Sequence, residues 1–116
     1  MTNVVDELMT VEDLDRALGD STSRPLLLFK HSLTCPISAR AFQEFEAHLE
    51  GPDPNVTYRM IVVQNSRNVS NEAAARLGVK HETPQAILIR NGRAVWHASH
   101  MGITSEALES AIRGQV

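Results

Sequence analysis

The chain is predicted to be an α/β protein, a mixed central sheet with helices on both faces. Two observations carry this. Apolar segments alternate between strand-like and helix-like spacing along most of the chain, and the series closes with two strand-like segments joined at Asn91-Gly92. Alternation implies a mainly parallel sheet covered on both faces, and the hairpin adds an antiparallel edge. At 116 residues the chain is large enough for a core without disulfide or metal staples, so residues 1–116 are expected to form a single domain. Such an architecture offers ligand sites at the carboxyl ends of its parallel strands.

The elements follow in order. "NVVDELM" (residues 3–9) reads as a short first strand. Thr10 is placed to cap a helix, with Asp13 reaching back as in a capping box. Val11, Leu14, Ala17 and Leu18 have helical spacing, and Gly19 is expected to stop that helix. "PLLLFKH" (residues 25–31) is a short apolar run, read as a fully buried strand. In "ISARAFQEFEAHL", Phe42, Phe45 and Leu49 share one helical face, and "GPDPN" turns the chain after it. "VTYRMIVV" (residues 56–63) alternates as a strand does. Ser70 is expected to cap the helix "NEAAARLG", which Gly78 closes. "PQAILIRNGRAVWHASH" supplies the hairpin strands, Asn-Gly being the strongest short-range hairpin signal. Thr104 caps a last helix whose apolar face is Ala107, Leu108, Ala111 and Ile112.

Composition excludes several classes of function. A net charge of −3 argues against nucleic acid as the main partner, because phosphate binding wants a basic surface. No apolar run approaches the roughly 18 residues of a membrane span, and the acidic start "MTNVVDELMT" is unlike a signal peptide. One cysteine cannot form an internal disulfide, which fits a reducing cytoplasm.

That cysteine, Cys35, lies in "HSLTCPIS" between a predicted strand and a predicted helix. Pro36 suits the first helical position, having no donor to orphan and a preset φ. Cys35 then meets unpaired backbone N–H groups and the positive end of the helix dipole, which favour thiolate and lower the pKa below that of a free cysteine. Acidification raises the thiolate fraction near neutral pH, but intrinsic nucleophilicity falls with a Brønsted slope of about 0.45. Attack therefore gains little. What improves is Cys35 as a leaving group, so the thiol is suited to being loaded and then unloaded. The alternative is a small buried hydrophobe, the usual state of a free cysteine.

The second half of the chain, "HETPQAILIRNGRAVWHASHMGITSEAL", resembles the carboxyl half of thioredoxins. Thr83-Pro84 match the dipeptide that opens a strand there with a cis bond, Asn91-Gly92 the hairpin turn, and Gly102 the glycine before the last helix. "TCPIS" preceded by "FKHS" is similar to a subgroup, the monothiol bacilliredoxins or YtxJ-like bacillithiol-system proteins. The resemblance implies a thioredoxin fold, with the cis-proline loop beside the cysteine and the backbone before the proline pairing with substrate. It makes Cys35 the nucleophile and places Ser38 where ordinary thioredoxins carry a resolving cysteine. The implied activity is removal of bacillithiol, the implied co-substrate, from S-bacillithiolated client proteins in the cytoplasm. The same chemistry on glutathione, or a redox-inactive binding module, are the alternatives.

Eight residues are expected to meet substrate. Thr34 and Pro36 flank the thiol. Thr83 offers backbone groups to an extended segment, beside Pro84. Gly102 permits close backbone approach or merely a bend. Ser38, one turn on from Cys35, donates to the sulfur or is an ordinary first-turn serine. A cation at Lys30 or His31 attracts the carboxylates of a small thiol or favours thiolate; the alternatives are a solvated lysine and a histidine with a structural hydrogen bond. Strand alternation puts those two on opposite faces. His48, His81, His97 and His100 show no convincing ligand spacing, so no metal is expected. Trp96 and Tyr58 read as core or sheet-face residues.

Overall fold

The structure is a computed structural model that describes residues 5–114. Its elements are β1 (Val5–Glu7), α1 (Val11–Asp20), β2 (Leu26–His31), α2 (Pro36–Leu49), β3 (Thr57–Val62), α3 (Arg67–Leu77), β4 (Gln85–Arg90), β5 (Arg93–Ser99), a 3-10 turn (His100–Gly102) and α4 (Ser105–Ile112). They build one five-stranded sheet in the order β1-β3-β2-β4-β5. The first three strands are mutually parallel, while β4 runs antiparallel to β2 and β5 antiparallel to β4. The β4–β5 hairpin thus forms the antiparallel edge that the sequence predicts, with β5 outermost.

Two cores follow from the alternation of side chains on β2. Leu27 and Phe29 face α2 and α4 and pack with Phe45, Tyr58, Leu88 and Leu108. Leu26 and Leu28 face α1 and α3 and pack with Leu14, Ile61, Val69 and Ile89. Leu26 to Lys30 are all fully enclosed, which is why this strand reads as an unbroken apolar run. Phe45 stacks on Phe29 with ring centroids 4.7 Å apart and planes 11° from parallel, fixing α2 over the sheet.

The Thr10 capping box forms, with Asp13 N bonded to Thr10 Oγ1 at 3.0 Å and Thr10 N to Asp13 Oδ2 at 3.3 Å. Gly78 ends α3 in the left-handed region, φ 66°. Asn91 and Gly92, at φ 54° and 74°, make the hairpin turn with two positive φ values, the turn that matches strand twist. Thr104 caps α4 through Ala107 N at 3.0 Å.

Three boundaries differ from expectation. α1 runs through Gly19 to Asp20 and ends at Ser21, whose hydroxyl donates to Leu18 O at 2.6 Å and accepts from Gly92 N at 2.8 Å. A tertiary joint to the hairpin, not the glycine, sets that end. α3 begins at Arg67 after Ser66, so Ser70 is a fully buried residue inside the helix rather than its cap. The first strand stops at Glu7, and residues 3 and 4 lie outside the described residues.

Candidate functional site

β2 delivers the chain to Ser32, Leu33 and Thr34 at its carboxyl end, and α2 starts immediately after Cys35. Cys35 is the N-cap residue, extended at φ −100° and ψ 123°, and Pro36 occupies the first helical position. The Cys35 carbonyl accepts the first helical bond, from Ala39 N at 3.1 Å. The sulfur belongs to a free, half-exposed cysteine. The thiol makes no cap bond of ordinary geometry, yet donors face it. The backbone N–H of Ser38, then that of Ile37, and the Ser38 hydroxyl hold its pKa below the ordinary thiol value against a smaller opposing effect of burial.

Ser38 itself is completely enclosed. Its hydroxyl has no hydrogen-bond partner among the described residues, and it is one of the groups that lower the Cys35 pKa. A buried hydroxyl without a partner costs about 1–3 kcal/mol.

The second wall comes from the chain before β4. Lys30 pairs with Gln85 across the antiparallel β2–β4 ladder, so Pro84 comes alongside His31 at the same end of the sheet as Cys35. The Thr83–Pro84 bond is cis. Pro84 O accepts from His100 N at 3.0 Å, tying this loop to the 3-10 turn, which in turn packs on α2. His100 is held at φ 54° and sits 3.3 Å from Glu82. Gly102 follows in the same turn. A Cβ there would meet only Ala98 Cβ at 3.8 Å, and its φ is unexceptional, so the fold does not require a glycine.

Lys30 and His31 do diverge, as alternation required, but neither is the solvent-facing cation considered above. Lys30 is fully buried toward α3, its Nζ 3.2 Å from Ser70 O and 3.3 Å from His81 Nδ1. Its charge is spent inside the protein, which removes Lys30 from the residues that meet a ligand. His31 turns to the α2 face, its ring 4.8 Å from Phe42 and 6.0 Å from Phe29. Burial lowers its pKa, and Nδ1 is buried without a partner among the described residues, so the ring is not anchored through that nitrogen.

Burial pushes the Lys30 pKa down to about 8. The folded protein therefore releases this proton before the unfolded chain does, and the energetic penalty of the buried ammonium is relieved as pH rises from about 8 toward 10.5. The unfolding free energy of wild type minus that of Lys30→Met should rise across this window by on the order of 3 kcal/mol. Urea titrations of both proteins at pH 7.5 and 10.5, as round settings on either side of the window, check this; a constant difference would contradict it.

Four residues at this end of the sheet were given no role from the sequence. Leu33 (62% exposed), Ile37 (40%) and Met101 (57%) place apolar surface on the loop before the thiol, on the first turn of α2 and on the 3-10 turn. The available signal was their position outside any amphipathic stripe. Gln64, just beyond β3, bonds to Leu33 N at 3.0 Å and to the hydroxyls of Ser32 and Thr34 at 2.9 and 3.4 Å. A concavity of about 300 Å³ lies elsewhere, lined by Arg24, Asp53, Thr57, Tyr58 and Arg59 among others, and contains none of the residues singled out for the site. Among the described residues no helix is long and apolar enough to cross a membrane.

Comparison with known proteins agrees with this geometry. The family described as monothiol bacilliredoxin BrxC matches residues 6–108. A solved structure described as a candidate oxidoreductase with a thioredoxin fold is 31% identical, with 93% of each chain covered and a TM-score of 0.82. Thioredoxin from Fasciola hepatica is 19% identical, covering 96% of this chain and 99% of its own, with a TM-score of 0.74. The Schistosoma mansoni thioredoxin pre-protein is 16% identical over 97% and 98%, also at 0.74. At that identity the two thioredoxins show the fold alone: this chain has the thioredoxin fold.

Proposed function

The chain belongs to the monothiol bacilliredoxin family, and from that premise we propose that it removes bacillithiol from S-bacillithiolated proteins through a mixed disulfide on Cys35. The observation that carries the reading is the half-exposed sulfur at the N-cap of α2, ahead of Pro36 at the first helical position, with its pKa lowered chiefly by the backbone N–H of Ser38.

The chemistry balances in two exchanges. The Cys35 thiolate attacks the bacillithiol sulfur of the client disulfide; the new S–S bond forms as the old one breaks, and the client leaves as thiolate. A free bacillithiol thiolate then attacks the bacillithiol sulfur on Cys35, releasing oxidised bacillithiol and the Cys35 thiolate. No net electron passes to the protein. In the second exchange Cys35 is the leaving group, and the donors that acidify it speed its departure. Because Ser38 cannot form a disulfide, the loaded protein waits for an external thiol.

Thr34 and Pro36 border the sulfur, Thr83 presents backbone groups beside Pro84, and the open face of Gly102 admits an extended client segment. Leu33, Ile37 and Met101 supply apolar contact around them. Clients and small thiol are cytoplasmic, in keeping with a single unpaired cysteine.

Incubating the reduced protein with oxidised bacillithiol and weighing it intact tests the proposal. One bacillithiol should be added, at Cys35, and free bacillithiol should remove it. Equal or faster loading by oxidised glutathione would reassign the small thiol. Loading only after denaturation would favour a binding module over an enzyme.

A further inference from the structure

Gln64 occupies an exposed position after β3, where side chains are ordinarily solvated, yet every polar atom of its amide is used. Oε1 accepts from Leu33 N at 3.0 Å. Nε2 donates to Ser32 Oγ at 2.9 Å and, more weakly, to Thr34 Oγ1 at 3.4 Å. All three partners lie in the three residues that precede Cys35. The backbone donor at Leu33 fixes which end of the amide is oxygen.

The reason for this arrangement lies in the ladder. β2 and β3 pair in parallel from Leu26 and Thr57 to His31 and Val62, and a last rung joins Val63 N to His31 O at 2.9 Å. β3 then turns away, with Asn65 N and Ser66 N both bonded to Val62 O at 3.0 Å. Past that point the 32–34 segment has lost its strand partner. The Gln64 side chain replaces it, its carbonyl taking the Leu33 N–H as the next rung would have done. The segment carrying Gln64 is fixed on its other side as well, since Asn65 Nδ2 donates to Glu7 Oε2 at 3.1 Å.

We infer that Gln64 is the positioning residue of the thiol: it holds the loop before Cys35 so that the sulfur enters α2 under the Ile37 and Ser38 donors. It touches neither the sulfur nor, in the proposed reaction, the substrate. The inference rests on Cys35 being the reacting group, but not on which small thiol it carries.

The test uses Gln64→Met, which keeps the length of the side chain and loses all three bonds, and Gln64→Asn, which keeps the amide but is one methylene too short. Both lie outside the core and leave the fold in place, which a melting curve verifies. Two quantities are read in each protein: the pH profile of Cys35 alkylation by iodoacetamide and the exchange rate of the Leu33 amide proton. In both variants the Leu33 amide should exchange faster, and alkylation in the acid limb of the profile should fall about three- to tenfold, the range that loss of a single net hydrogen bond supports. Profiles identical to wild type, with or without faster Leu33 exchange, would overturn the inference. Failure of the bacillithiol reading would leave the difference between wild type and Gln64→Met intact, so the two failures are distinguishable.

Discussion

The Cys35→Ser protein should transfer no small thiol: release from a mixed disulfide should fall by at least about 10³-fold, to the background of direct thiol exchange. The chain has one sulfur nucleophile, and a serine hydroxyl is not ionised near neutral pH. Ser38, at the place of a second cysteine, offers no bypass. The loss should be chemical rather than structural, because serine is among the preferred N-cap residues and the start of α2 at Pro36 does not depend on the sulfur. Release of labelled bacillithiol from a client protein, together with a melting curve, checks both halves. A variant as stable as wild type but inactive is expected; retained transfer would remove Cys35 from the mechanism.

Phe45→Ala should destabilise the fold by about 3–5 kcal/mol. Phe45 is completely enclosed, stacked on Phe29 at 4.7 Å and tilted against Phe42 and Tyr58 at 6.4 Å each. Those neighbours sit on β2, α2 and β3, three elements that cannot all collapse into one void, so most of the cavity penalty should remain. Against a typical domain stability of 5–15 kcal/mol this is a large fraction. Urea denaturation should show a lower midpoint with an unchanged slope. A loss below about 1 kcal/mol would mean that the aromatic stack does not fix α2 over the sheet.

Much of this architecture was legible because periodicity and capping are local. Leu26 to Phe29 announced a strand buried on both faces, Thr10 and Thr104 announced helix starts, and Asn91-Gly92 announced a two-residue hairpin. The placement of Cys35 at the N-cap or first turn of a helix followed from a strand, a proline and a helix in succession, and the structure makes it the N-cap. What escaped depends on long-range partners. Gly19 looked like a stop, yet Ser21 ends the helix because the hairpin, 71 residues on at Gly92, bonds to it. Ser70 looked like a cap and is instead beside His81, within reach of the buried Lys30. A lysine at the end of a strand carries no local mark of enclosure; its burial is created by α3 and the chain before β4. Gln64 likewise stood in a polar stretch, and only the divergence of β3 from β2 gives its amide three partners.

Alkylation of the native protein by iodoacetamide across pH tests the central claim most directly. A single inflection below that of an unstructured cysteine peptide is expected, with reaction persisting in mild acid and disappearing in Cys35→Ser. An inflection at or above the peptide's, or reaction only once the protein is unfolded, would contradict it.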